Sequence, residues 1–168
     1  MTNDPTRGGD NAPPLRITIL GVGNLLLTDE GVGVHVAQAL LSGLYPLPSE
    51  VEVIEGGTDG FGLLHIITAT DYLIIIDAVK GGDEPGAIYR FDVADITTSV
   101  DTFKTSVHQI SILEVLNFAE LVGNKPETII FGVEPESTSP SLELSPCIAA
   151  KLPRIIESVL AEIASLTT

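Results

Sequence analysis

The sequence predicts an α/β fold: a three-layer domain in which a twisted, mostly parallel sheet of about five strands is flanked by helices. Strand-like and helix-like segments alternate from residue 15 onward, the pattern of βα units. The most apolar segment, Leu73-Ile74-Ile75-Ile76, shows no inside–outside alternation, as expected of a strand covered on both faces. Apolar runs also close on glycine turns, at Gly21-Val22-Gly23 and at Glu55-Gly56-Gly57.

The first fourteen residues, MTNDPTRGGDNAPP, read as a disordered leader (1–14) ending at paired prolines, and 15–168 as one domain without internal repeats. Ile17 to Leu20 is the first strand. A helix follows from about Glu30 to Gly43, with Val36, Ala37, Leu40, Leu41 and Leu44 at helical spacing. Val51 to Ile54 is the second strand, and a helix from about Asp59 to Ile67 takes Thr58 or Asp59 as its cap. Leu73 to Ile76 is the central strand. Ala87 to Phe91, flanked by charge, lies nearer an edge. After a polar stretch from Val93 to Val107, a helix from about His108 to Val122 presents Ile112, Val115, Leu116, Ala119 and Val122, and Gly123-Asn124 ends it. Thr128 to Val133 is the last strand. Ser145-Pro146 caps the final helix, which Pro153 should kink or delay.

Hydrophobic residues are 44% of the chain and charged residues 18%, enough apolar material for a core and too little charge for a disordered chain. The mean hydropathy is +0.36. The longest apolar run, Tyr72 to Val79, contains Asp77 and falls short of the ~20 residues of a membrane span. Eight Lys and Arg against 23 Asp and Glu give a net charge of −15. Such a surface repels phosphate backbones and anionic lipid, which argues against nucleic acid and membrane as partners. A lone cysteine, Cys147, excludes an intrachain disulfide and a cysteine zinc cage. No secretory signal is apparent, so a cytoplasmic location is expected.

In parallel sheets function gathers at the carboxyl ends of strands, where strand order reverses. The turn Gly21-Val22-Gly23-Asn24-Leu25-Leu26 lacks the third glycine of a dinucleotide fingerprint, and Glu55 lies too far on to serve as its ribose acid. Asp29 and Glu30 follow; an acidic pair at a helix start satisfies the helix dipole. Yet Gly31 and Gly33 are costly in a first turn unless something approaches the backbone closely. Asp77 ends the most apolar strand, where a carboxylate is expensive unless paired, hydrogen-bonded or metal-bound. His35, beside Gln38 and Ser42, should be solvated. His65, among Leu63, Leu64, Ile66 and Ile67, should be structural. His108 stands where a polar loop meets a helix. No histidine or carboxylate neighbours Cys147 in sequence, which argues against a cysteine nucleophile. Glu30, Asp77 and His108 would make a three-ligand set with positions open for water or substrate, if the fold unites them.

The stretch from Ile19 to Val34, ILGVGNLLLTDEGVGV, resembles the opening signature of the hydrogenase maturation endopeptidases. The resemblance continues through Glu55-Gly56-Gly57-Thr58, Ile75-Ile76-Asp77-Ala78, His108-Gln109 and Gly132-Val133-Glu134-Pro135-Glu136-Ser137. It implies a twisted parallel sheet and removal of a C-terminal extension from the precursor of a nickel–iron hydrogenase large subunit. Nickel, recognised in the precursor, would be the recognition signal and the cofactor involved, with no permanently bound metal required. The family's metal-contacting positions fall on Glu30, Asp77 and His108, with Asp77 and Glu30 the catalytic candidates. Gly23, Asn24, Asp29, Glu55, Gly56, Gly57 and Glu134 are the expected substrate contacts. Glu55 departs from the family's usual Asp by one methylene. Glu134 and Glu136 can equally be solvated loop acids.

Two mechanisms are compatible with the resemblance. The metal polarises the scissile carbonyl or activates a water, or it is a docking mark while Asp77 or Glu30 acts as general base; the second is preferred. A noncatalytic nickel-sensing accessory protein, a nucleotide-binding module and a peptidase with an unrelated substrate are the alternatives.

Overall fold

The structure, a computed structural model, describes residues 13–93 and 107–168; the side chains of 107–111 fall outside the description. The expected leader (1–14) lies almost wholly outside the described residues, as does 94–106.

Five strands form one sheet: β1 (Ile17–Val22), β2 (Val51–Gly57), β3 (Tyr72–Ala78), β4 (Ile88–Asp92) and β5 (Glu127–Val133). Their order is β2-β1-β3-β5-β4, parallel except for the antiparallel edge strand β4. The helices among the described residues are α1 (Val32–Leu41), α2 (Leu64–Thr68), α3 (Val107–Leu121) and α4 (Pro146–Leu166).

The alternation of β3 distributes the core. Ile74 and Ile76 pack with Val36 and Leu40 of α1 and Ile155 and Val159 of α4. Leu73 and Ile75 pack on the other face with Ile67 of α2 and Val115 and Leu116 of α3. Both faces of β3 are covered, so its apolar run needs no polar alternate. Asp77 continues the series of Leu73 and Ile75 on the α3 face.

Several boundaries differ from the sequence expectation. Residues Thr28–Gly31 form a 3-10 turn, and the α-helix waits until Val32. Thr28 adopts a left-handed φ of 48°, which no helix continues. The helix stops at Leu41, with Gly43 left-handed at φ 82° just beyond its end; Leu41 and Leu44 are therefore exposed rather than core. The segment after β2 is a 3-10 turn, Phe61–Leu63, before the short α2. The cap position of that turn is Gly60 rather than Thr58 or Asp59; Asp59 stands one residue earlier, its Oδ1 accepting from the Gly62 amide at 3.0 Å. Val122, expected on the buried face of its helix, is exposed beyond the end of α3. Pro153 does not delay α4. Ser145 Oγ accepts from the Ile148 amide, Pro146 opens the helix, and the carbonyl that Pro153 leaves without a donor belongs to exposed Ala149.

The chain leaves β1 towards β2 on one side and later leaves β3 towards β5 on the other, so strand order reverses between β1 and β3. The crevice at a reversal opens at the strands' carboxyl ends, where β1 leads to Glu30 and β3 ends near Asp77.

Candidate active site

Backbone packing brings these two ends together. A Cβ on Gly33 would stand 2.0 Å from the Ile76 carbonyl oxygen and 2.4 Å from that of Val22. Gly33 lets the start of α1 lie directly on the ends of β1 and β3. At Gly23, φ is +131° and a Cβ would fall 1.8 Å from the Glu30 carbonyl oxygen. The approach that the glycines of this signature suggest is therefore the chain's own backbone, and its result is to fix Glu30 beside the carboxyl end of β3.

Asp77 is 2% exposed. Its Oδ1 accepts from the Ala78 amide at 2.8 Å, and its buried Oδ2 has no hydrogen-bond partner among the described residues. Burial pushes the carboxyl up to about 8; the Ala78 hydrogen bond opposes this, and the nearby Glu30 charge adds to it. Glu30 is half-buried, so the structure pairs one buried and one accessible carboxyl group. His108 lies in the first turn of α3, and its side chain is outside the described residues. α3 has fifteen residues, about 22 Å, and the strand it leads into through a short link has seven, about 23 Å. Running back along β5, α3 therefore starts level with the carboxyl edge where Asp77 sits. Among the described residues no three His, Cys, Asp or Glu side chains gather into a metal cage.

Asp29, expected to touch substrate, is fully buried and its carboxylate is used internally. Oδ2 accepts from the amides of Glu136 and Ser137, both at 2.9 Å, and from Ser145 Oγ at 2.8 Å. Oδ1 accepts from the Ser145 amide at 2.8 Å. The adjoining backbone is laced to the same segment: the Asp29 amide donates to the Ser137 carbonyl, the Thr28 amide to Ser141 and the Ser141 amide to Leu26. Asp29→Asn would set an amide NH2 against these donors at nearly unchanged volume. We expect a loss of about 2–3 kcal/mol and a fall in Tm of about 5–10 °C, read by thermal unfolding.

Glu134 is buried too, which removes the solvated-loop alternative for it. Its Oε2 accepts from the Gly81 amide at 2.6 Å, the Gly82 amide at 3.1 Å and the Tyr89 hydroxyl at 2.8 Å. Rather than simply facing substrate, Glu134 pins the loop that follows Asp77. Between that loop and residues 134–138 lies a cavity of about 290 Å³ whose rim carries Lys80 and Glu136. Glu136 is exposed.

The remaining expected contacts are varied. Asn24 Oδ1 accepts from the Leu26 amide at 2.9 Å and shapes the turn. Glu55 is exposed and accepts from Gln38 Nε2 at 3.1 Å. Gly56 is buried, where a Cβ would strike the Leu20 side chain at 2.7 Å. Gly57 has φ +54° with open space around it, and its carbonyl accepts from the Gly23 amide. His35 is half-buried rather than solvated: its Nε2 is buried without a partner among the described residues, and burial lowers its pKa against the pull of Asp29. His65 is exposed on the short α2 rather than packed. Cys147 is half-buried, with Sγ 3.7 Å from the Pro85 carbonyl oxygen. Sequence reading missed the Tyr89–Glu134 tie and the second role of Ser145, because neither partner is near in the chain.

Fold and site together define an α/β protein with a pair of carboxyl groups, Glu30 and Asp77, at the switch point of a parallel sheet. The hydrogenase maturation protease (HycI) family model matches residues 34–162. The chain is 39% identical over 149 residues to the hydrogenase 2 maturation protease of Escherichia coli (strain K12), across 88% of this chain and 90% of that one. It is 36% identical over 124 residues to the hydrogenase expression/formation protein HupD of Rhizobium leguminosarum bv. viciae, across 73% of this chain and 61% of that longer relative. The hydrogenase maturating endopeptidase HybD from E. coli superposes with a TM-score of 0.81 at 37% identity, over 90% of this chain and 93% of that one. The chain belongs to the hydrogenase maturation protease family. It is a hydrolase, an endopeptidase of hydrogenase maturation, and the protease reading prevails over a noncatalytic accessory role. No helix among the described residues is long and apolar enough to cross a membrane.

Proposed function

We propose that this endopeptidase removes the C-terminal extension from the nickel-loaded precursor of a nickel–iron hydrogenase large subunit, in the cytoplasm. The observation that carries the reading is Asp77 Oδ2, a buried carboxyl oxygen with no partner among the described residues, beside Glu30. A buried polar atom left unmatched costs about 1–3 kcal/mol, a cost that makes sense where an outside group completes it. Nickel held by the precursor is the natural complement: a divalent cation favours the carboxylate form of both acids. In this reading Glu30, Asp77 and His108 meet the metal as part of the substrate, and the metal marks a precursor as ready.

Asp77 or Glu30 then takes the proton of the attacking water as general base. Gly23, Gly56 and Gly57 shape the walls, while Asn24, Asp29 and Glu134 hold those walls in place. Glu55 stands at the outer edge of β2, where it can meet the precursor.

Intact mass of a nickel-loaded precursor, with and without this protein and beside a nickel-free precursor, tests the proposal. Loss of one discrete C-terminal peptide from the nickel-loaded form alone is expected. Cleavage of both forms would keep the peptidase and remove nickel as the signal. Cleavage of neither, with a precursor shown to be competent, would sink the reading.

A further inference from the structure

β2 is an edge strand: among the described residues its strand partner is β1 on one side, and no strand lies on the other. The Ile17 amide donates to the Glu50 carbonyl at 3.0 Å, and Ile17, Thr18 and Ile19 stand opposite Val51, Glu52 and Val53. In such a parallel ladder alternate residues turn both backbone groups to the same side. Glu52 and Ile54 therefore turn theirs to β1, while Val53 and Glu55 each turn an amide and a carbonyl outward. No described residue takes up those outward groups.

This edge runs to the candidate site. The Gly23 amide donates to the Gly57 carbonyl at 2.9 Å, which ties the end of β2 to the turn that goes on to Glu30. Gly57 has nothing within 4 Å of its Cβ position, so a chain leaving the edge can cross there. With strands about 4.8 Å apart, one added outside β2 would lie about 14 Å from β3, where Asp77 sits. That is about four residues of extended chain at 3.3 Å each. Charge narrows the choice of occupant. Glu50, Glu52 and Glu55 are exposed along the edge, and no Lys or Arg occurs between Arg16 and Lys80. A second copy paired through β2 would set these glutamates against their own kind; an uncharged or basic segment meets no such opposition. An endopeptidase acts on polypeptide, and an extended polypeptide carries the complementary row of amides and carbonyls.

We propose that the outer edge of β2 binds substrate as an additional strand: an extended segment free of acidic residues, held by the Val53 and Glu55 backbone about four residues from the scissile bond. That this segment belongs to the large-subunit precursor rests on the proposed function. The edge supplies grip and register, and Asp77 and Glu30 supply chemistry.

The test compares Val53→Pro with Val53→Ala on nickel-loaded precursor. Proline removes an outward amide and is tolerated on an edge strand; alanine keeps the amide while trimming the same half-buried side chain. Val53→Pro is expected to raise KM about five- to tenfold with kcat within about twofold, the worth of a lost backbone hydrogen bond and the pairing beside it. Val53→Ala should stay near the parent, and thermal unfolding checks that both are folded. Amide hydrogen exchange needs no change in β2: in the complex of precursor with Asp77→Asn, the Val53 and Glu55 amides should exchange at least about tenfold more slowly than in the free protein. Cleavage by the parent with equal KM for the two Val53 variants, or a complex in which both amides exchange as before, would overturn the added strand and leave the protease reading intact. Protection of β2 by a precursor that the parent never cleaves would keep the added strand and overturn the proposed function. A parent dimer that Val53→Pro turns into monomers, with KM unaltered, would assign the edge to a second copy and overturn the proposal.

Discussion

Asp77→Asn is expected to give a folded protein that no longer cleaves precursor, with a rate lower by roughly 10²–10⁴-fold, the usual contribution of a positioned acid or base. The carboxamide keeps the shape of the carboxyl group and an oxygen for the Ala78 amide, so the carboxyl edge of β3 should survive. What it loses is the ability to carry charge or exchange a proton at the position of Oδ2. Stability should change in the opposite direction to activity. In the folded protein burial pushes this carboxyl up to about 8, against about 3.9 in an unfolded chain. The fold therefore favours the protonated acid. That favour is complete below about pH 4 and is lost as pH rises through 8. Asparagine resembles the protonated form at every pH. Tm measured at intervals from pH 4 to 8 should show the variant gaining on the parent as pH rises. A variant that is active, or that loses ground with rising pH, would refute the assignment of Asp77 as a buried, functionally reserved acid.

The second large effect is expected at Gly33, a residue with no chemistry of its own. Gly33→Ala puts a methyl group 2.0 Å from one carbonyl oxygen and 2.4 Å from another, both on backbone of the central sheet. No rotamer can relieve that contact. Either α1 lifts or the ends of β1 and β3 part. The cost should exceed the ~1–3 kcal/mol of ordinary overpacking and consume a large share of a total stability of about 5–15 kcal/mol. Activity should fall further than the folded fraction alone accounts for, since the same contact fixes Glu30 near Asp77. Gly43→Ala is the control: it is left-handed at φ 82° with nothing within 4 Å of its Cβ. It should cost only about 1–2 kcal/mol of backbone strain and leave cleavage alone. Urea unfolding with cleavage assays on the three proteins would decide; near-equal losses for Gly33→Ala and Gly43→Ala would contradict the close-approach account.

What was legible in the chain follows from how local each signal is. Leu73 to Ile76 announced a doubly covered strand because its apolar character is continuous, and β3 has both faces in the core. The final helix was readable from its cap and its single apolar face. Asp77 could be singled out because a carboxylate at the end of such a strand conflicts with its surroundings. The 3-10 turn before α1 was not readable, because Thr28 and Asp29 owe their conformation to hydrogen bonds with residues 137, 139, 141 and 145. For the same reason Asp29 looked like a helix-dipole acid and is instead a buried tie. His35 seemed solvated because Gln38 and Ser42 share its helix face, yet its Nε2 is buried in the folded chain. Spacing reports a residue's own helix or strand and says little about what the rest of the chain lays over it.

Ser145 carries a consequence for the order of events in the cell. Its amide and hydroxyl complete the shell of Asp29 across 116 positions of sequence, and its hydroxyl also meets the first turn of the last helix. During synthesis Glu30 and Asp77 leave the ribosome long before Ser145 does. Until that serine is available, the segment bearing Glu30 lacks the donors that hold its neighbour, so a nascent or truncated chain has both acids without their fixed setting. Contacts of such long range are also among the slower ones to close. The shell around Asp29 can therefore close only in a chain that extends at least to the start of its final helix.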